Sequence, residues 1–275
     1  MNAYRETDGH LIREYALSTT GWFQQKTEKA LIEMVPTKEY GAALFLDGEM
    51  QLAFQDEYIY HEALVHPCLS SSTSRKRVCI IGGGDGCALR EVLKWTDVEH
   101  VDVLDWDKEM IEVFRTKYAM FNSWAFDDPR VSIETNDIRN YVNEKRSYDC
   151  ILVDLVDPDP THSDLWCDVL YIVKTWIGVG GSIVINAGGI TPWQTDTVNW
   201  LLQHVESTPH SRRHLYKVFV PSFGRDWCFL LLNQAKIVEL KNLPPCLRYL
   251  DGVAWRQAYT YGWTKNYVEN LHSVE

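Results

Sequence analysis

The chain has 275 residues, 45% of them hydrophobic, which is enough for one large domain or one domain with a smaller appendage. A net charge of −11 with no basic run makes nucleic acid and anionic membrane poor partners and a polycation a better one. No apolar run approaches a membrane span, and the opening MNAYRETDGHLIREY lacks the apolar core of a signal peptide, so a soluble, cytoplasmic protein is expected.

In chain order, Leu31 to Val35, Ala42 to Leu46 and Gln51 to Phe54 read as short strands. They are separated by Pro36-Thr37-Lys38 and by Asp47-Gly48, a hairpin signal. Asp56 to His66 reads as a helix, and Ser70 to Ser74 as a polar break. The expected division is a small N-terminal antiparallel β domain with its linking helix over 1–69, and a second domain over 75–275. After the break the pattern alternates: strand 78–81, helix 87–95, strand 101–104, helix 108–118, strand 131–134, helix 138–143 and strand 149–153. A helix at 164–176 leads through Gly178 to Gly181 into strand 182–186, then helix 194–206. Strands 214–220 and 226–233 are expected to pair antiparallel at one sheet edge. Such alternation predicts a doubly wound α/β sheet covered on both faces.

The stretch VCIIGGGDGCALREV at 78–92 is the organising one: a buried strand, a glycine turn and the start of a helix. Gly82 and Gly84 let the backbone turn and approach a ligand, to which the helix start offers unpaired N–H groups. Twenty residues after Asp85, the strand VDVL ends in Asp105, where a doubly wound sheet presents a carboxylate to ribose hydroxyls. No Gly-Lys-Ser or Gly-Lys-Thr follows, and Asp85 would repel a pyrophosphate. The spacing therefore fits a nucleoside without phosphates that carries positive charge near Asp85, such as S-adenosylmethionine or its decarboxylated form. The seven cysteines are an odd number without CxxC spacing; they read as reduced thiols, and no zinc site is indicated.

Several phrases, in order, resemble the polyamine aminopropyltransferases, the spermidine and spermine synthase family. They are LFLDGEMQLAFQDEYIYHEALVHP at 44–67, VCIIGGGDGCALREVL at 78–93, VDVLDWD at 101–107, DPRV at 128–131 and YDCILVDLVDP at 148–158. The resemblance implies a small N-terminal β domain followed by a methyltransferase-like Rossmann domain. It implies transfer of the aminopropyl group of decarboxylated S-adenosylmethionine to a polyamine amine, releasing methylthioadenosine. That compound is a cosubstrate, and no tightly bound cofactor or metal is implied. A homodimer is also implied. Carried over, Asp105 would hold the ribose, Asp137 the adenine amino group and Asp85 the aminopropyl amine. Gln51 and His61 would line the donor site, and Tyr60, Asp154 and Asp157 would face the acceptor amine.

The chemistry suits those residue types. A sulfonium is already activated for displacement, so the protein has to align an amine and take its proton. Departures cluster on the acceptor side. Pro158 to His162 replaces a Gly-Pro-Ala run, Asn186-Ala187-Gly188-Gly189 lacks a glutamine, and Phe223 stands for a tyrosine. On the donor side, Asp105 replaces a glutamate, and near the end of the first β unit Ala30 stands for a glutamine. Trp22 and Phe23 are either core or polyamine-facing, Trp193, Trp227 and Phe223 either core or groove, and Asp159, Asp164 and Asp168 read as a solvated helix start. Two other readings stay open: a methyltransferase on the same fold, and a non-catalytic nucleoside-binding homologue.

Overall fold

The computed structural model describes residues 3–8, 11–191, 194–205, 212–236 and 238–260. Trp193 and the last residue of the expected helix 194–206 lie outside them. An antiparallel pair, β1 (Ala3–Asp8) and β2 (Leu11–Ala16), opens the chain. A four-stranded antiparallel sheet follows, in order β3 (Phe23–Lys26), β4 (Leu31–Thr37), β5 (Gly41–Leu46) and β6 (Glu49–Ala53). Asp47 and Gly48 both have positive φ, 49° and 89°, as a two-residue hairpin loop requires. The first three strands escaped the sequence reading because charged and polar residues fill them, as in FQQK. Pro36 and Thr37, expected as a turn, are the end of β4.

Next comes α1 (Glu57–Ser71), which runs into the serine stretch expected to break it. Eleven of its residues, Glu57 and Tyr60 to Leu69, are buried, on every side of the helix. A helix buried all round lies between layers, and α1 packs against the central sheet on one side and the next helix on another.

The rest of the chain alternates: β7 (Arg77–Gly82), α2 (Cys87–Leu93), β8 (His100–Leu104), α3 (Lys108–Thr116), α4 (Ala119–Asn122), β9 (Val131–Glu134), β10 (Tyr148–Asp154), α5 (Ser163–Trp176), β11 (Ile177–Ile190), α6 (Asp196–His204), β12 (Arg212–Val220), β13 (Arg225–Asn233) and α7 (Gly252–Thr260). The seven strands stand in the order β12-β13-β11-β10-β7-β8-β9. All pair in parallel except β13, which is antiparallel to both β11 and β12. In β7, Val78 and Ile80 face the core beneath α1 and the N-terminal sheets, while Cys79 and Ile81 face the core beneath α5 and α6. This two-faced burial is why the run VCIIG is apolar throughout.

Two expectations are corrected. Gly178 to Gly181 does not separate a helix from a strand but lies within the fourteen-residue β11. Gly180 has φ +76° there, and pairing with β10 shifts register between Tyr148 and Cys150, so the glycines let the strand bulge and continue. Residues 138–141 form a 3₁₀ turn rather than an α-helix. No helix among the described residues is long and apolar enough to cross a membrane. The seven cysteines are free, with Cys167 and Cys246 exposed.

Candidate active site

In an open α/β sheet the crevice lies where successive crossovers diverge, beyond the carboxyl ends of the strands. Here that point is between β7 and β10, which pair with Asp154 opposite Gly82. The backbone turns out of β7 at Gly82 with φ +86°, and a Cβ there would stand 2.0 Å from the Asp154 carbonyl oxygen. Only glycine fits. At Gly84 a Cβ would lie 2.9 Å from Asp105 Oδ2, so this glycine opens the floor against the next strand's acid.

Three carboxylates gather there, with a fourth, Asp157, to one side. Asp85 accepts the Cys87 N–H at 2.7 Å, stabilising the start of α2. Asp105 accepts the Asp107 N–H at 2.8 Å and is pushed up to about 7, first by burial and then by the charges of Asp107 and Asp85. Asp154, the last residue of β10, accepts a 2.5 Å hydrogen bond from the Tyr60 hydroxyl. Burial and the charge of Asp85 outweigh the influence of His61 and raise Asp154 to about 6. Asp157, in the loop that follows, is raised to about 6, again mainly by burial. The Tyr60 hydroxyl is held well above its ordinary value by burial and by Asp154, so it stays a donor.

Tyr60 and His61 come from α1, whose burial fixes both rings. Tyr60 packs edge-on against Phe223, Trp227 and Phe229, with ring centroids 6.3, 6.2 and 5.1 Å away. His61 Nδ1 lies 2.7 Å from the Glu57 carbonyl and 3.0 Å from Glu57 Oε2, and its Nε2 is 3.8 Å from Asp85 Oδ1. Burial lowers the imidazole, but Glu57, Asp85 and Asp154 together outweigh it and raise His61 to about 9.

The fold thus brings Gly82, Gly84, Asp85, Asp105, Asp154, Tyr60 and His61 together. Asp157 lies to one side, with Oδ2 2.8 Å from where a Gly188 Cβ would be. Asp137, three residues past β9, caps the 3₁₀ turn at 138–141, and its carboxylate is taken by the Arg139 N–H at 3.0 Å and by the Arg139 guanidinium. Gln51 is exposed, and its amide donates to the Glu49 carbonyl at 3.1 Å. Trp22 packs on Tyr4 and donates to Glu33 within the N-terminal sheets, and Phe23 sits under the Lys117 ammonium. Asp159 caps a short turn at Pro160–His162, as a helix-start acid does.

Sequence reasoning missed two supporting groups. Glu57 and Arg90 form a two-pronged ion pair behind His61, at 3.0 and 2.8 Å; the i, i+4 spacing of Glu57 and His61 was the available signal. Buried Asn186 accepts from Trp227 Nε1 at 2.8 Å and Gly188 N–H at 3.0 Å, and donates to the Leu155 carbonyl at 2.9 Å. It ties the Asp157 loop to the aromatic wall. Glu57, His61 and Cys87 bring one ligand atom each within 4.8 Å, a spacing that suits a metal, but both Glu57 oxygens are already held by the Arg90 cation. A separate groove of about 460 Å³ opens at the amino ends of the strands, lined among others by Arg77, His100, Asp102 and Arg146. His100 pairs there with Asp102 and Arg146 with Glu134, and the groove lies at the opposite end of the sheet from the crevice.

A glycine turn after the first parallel strand, an acid just past the second and an acid ending the fourth mark a methyltransferase-like α/β protein. The spermine/spermidine synthase domain model matches residues 57–242, and the chain belongs to that family. It is 36% identical over 230 residues to polyamine aminopropyltransferase 2 of Bacillus cereus, covering 80% of this chain and 61% of that protein. It is 36% identical over 226 residues to the polyamine aminopropyltransferase of Aeropyrum pernix, covering 78% of this chain and 69% of that one. The chain thus spans about three fifths to two thirds of these relatives' lengths. A crystal structure of spermidine synthase in complex with the transition state analogue AdoDATO has the same fold, with TM-score 0.83, 22% identity, and coverage of 94% of this chain and 91% of that one. Spermidine synthase from Thermotoga maritima superposes with TM-score 0.79 at 22% identity, covering 94% of this chain and 90% of that one.

Proposed function

We propose that the protein is an aminopropyltransferase that moves the aminopropyl group of decarboxylated S-adenosylmethionine to an amine of a polyamine, releasing methylthioadenosine. The observation that carries this reading is the Tyr60–Asp154 pair beside the glycine turn, a carboxylate raised to about 6 and aligned by a buried phenol. Family membership supports it, as does the AdoDATO held by a spermidine synthase of the same fold.

In this reading Asp105 accepts the ribose hydroxyls, Asp137 reaches the adenine amino group by sharing with Arg139, and Asp85 with His61 receives the donor's ammonium. Gln51 closes the donor side. Asp154 attracts the acceptor ammonium and takes its proton, with Tyr60 holding Oδ1. The freed nitrogen lone pair attacks the carbon on the sulfonium, a C–N bond forms, the C–S bond breaks, and the electron pair returns to sulfur as a neutral thioether. Asp157 holds the same or a neighbouring amine. The division of labour is part of the proposal: residues 1–69 cover the site and lend it Gln51, Tyr60 and His61, and 75–275 carry the rest. So are a homodimer, a cytoplasmic setting suited to seven free cysteines, no resident cofactor, and no nucleic-acid partner for a chain of charge −11.

The experiment is turnover with a panel of amines, using decarboxylated and intact S-adenosylmethionine as alternative donors. Aminopropylated product from the decarboxylated donor alone is expected. Methylated product from the intact donor would replace this reading with a methyltransferase, and binding without turnover of any amine would replace it with a nucleoside-binding homologue.

A further inference from the structure

Behind the glycine turn a chain of buried polar side chains runs along the interface of α1 and α2. Trp95 Nε1 donates to His66 Nδ1 at 3.1 Å, and His66 Nε2 lies 2.9 Å from Glu91 Oε2. Arg90 donates through Nε to Glu91 Oε1 at 2.9 Å and through both terminal nitrogens to Glu57. Glu57 in turn holds His61, and His61 faces Asp85. His66, Glu91, Glu57 and His61 are all buried.

The two acceptors around His61 Nδ1 decide its protonation. Both the carbonyl and the carboxylate of Glu57 face this nitrogen, and neither can donate, so Nδ1 carries a hydrogen in every state. The titrating atom is therefore Nε2, and it is the one aimed at Asp85. The groups facing the ring are Glu57 from α1, Asp85 from the glycine turn, Cys87 from α2, Asp154 from β10 and the edge of Tyr60. The nearby cation, Arg90, is paired with Glu57 and Glu91. An imidazolium is what such surroundings favour, and His61 is accordingly raised to about 9 despite its burial.

We propose that Glu57, braced by Arg90, is a positioning residue that fixes His61 as an imidazolium on Asp85, and that the donor's ammonium displaces the Nε2 proton when it takes Asp85. This deepens the donor-site reading above and rests on it. One cation enters and one proton leaves to solvent, so the charge of the buried site is unchanged. The Nε2 lone pair then accepts from the ammonium, and no unpaired charge is created. After transfer the aminopropyl ammonium belongs to the polyamine product. Reprotonation of His61 then restores the pairing with Asp85 and repels that product's ammonium. The resting site is neither an open acidic hole for stray amines nor one that holds its product.

The test is titration calorimetry at about pH 8 in two buffers of different ionisation heat, which counts protons released on binding. At that pH Asp105, at about 7, and Asp154, at about 6, are largely ionised, while His61 is not. Decarboxylated S-adenosylmethionine should release about one proton from the wild type, and methylthioadenosine, which lacks the ammonium, close to none. His61→Gln should bind the donor without release, and Glu57→Gln should release less than half as much as the wild type. No release from the wild type, or undiminished release from His61→Gln, overturns the proposal whatever the fate of Glu57→Gln. If the donor does not bind the wild type at all, the donor-site reading itself falls, and the inference with it.

Discussion

A carboxylate that takes a proton from an ammonium serves best when its own affinity for protons is raised, yet it must still be charged at working pH to attract the amine. Asp154 meets both demands: burial lifts it to about 6, and the Tyr60 hydroxyl keeps it from rising further. Asp154→Asn keeps the shape but cannot accept the proton. Turnover should fall by roughly 10² to 10⁴-fold with methylthioadenosine affinity nearly intact, checked by steady-state rates beside nucleoside titration. On the proposed roles, the wild-type kcat/KM should decline below about pH 6 to 7, because Asp105, Asp154 and Asp157 are then protonated and would lose the charge proposed to gather the donor and the amine. A profile flat from pH 5 to about 8 would remove Asp154 from the role of base. On the acceptor side, Asn186→Ala should raise amine KM more than it lowers kcat, since it frees Leu155, Gly188 and Trp227 without touching Asp154.

The elements that position the site were readable wherever a single physical demand wrote the sequence. In β7 burial on both faces made an unbroken apolar run, and the sharp exit past Asp154 required glycine at 82, so strand and turn stood out. β1, β2 and β3 answer to a mixed demand, with one face partly covered and the other wet, and their charges hid them. The continuous β11 was misread because glycines that permit a bulge look the same in sequence as glycines that end a helix. Of the proposed site, Asp154, Asp105 and Tyr60 were legible from strand ends and resemblance, whereas Arg90 and Asn186 act through partners distant in the chain, and Glu57 left only its i, i+4 spacing to His61. α1 carries another such group. Buried Glu62 accepts the N–H groups of Arg248, Tyr249 and Leu250 at 2.7, 2.9 and 2.8 Å, and so pins the segment that leads into α7. Glu62→Ala would strand three donors at roughly 1 to 3 kcal/mol each and should cost about 3 kcal/mol or more in a urea melt. A loss within about 0.5 kcal/mol would mean that the segment is held by something else.

Across the whole molecule, the shifted groups of the crevice make folding stability depend on pH. Asp105, Asp154 and Asp157 bind protons more tightly folded than unfolded, so the stability they give is present below about pH 4 and is lost as pH rises through about 6 to 7. His61 adds stability below its ordinary value of 6.5 that is lost as pH rises through about 9. Glu57 and Glu91 are shifted the other way, Glu91 to about 2, and their contribution fades in strong acid. The ligand-free Tm should therefore peak at about pH 4 and fall steadily toward about pH 9. A saturating cationic donor should lessen that decline, as a thermal-shift series with and without it would reveal.

The strand order has a further consequence, for a chain that emerges from the ribosome one end first. β12 is made before β13, yet it sits at the sheet margin with β13 between it and β11. When residue 220 has appeared, β12 has nothing to pair with, and β11 offers a bare flank that only β13 will occupy. The margin must therefore wait until Asn233 is out and β13 can bridge β11 and β12. For that interval the nascent sheet carries an open hydrogen-bonding edge, the period in its synthesis when it is most exposed to mispairing with another copy.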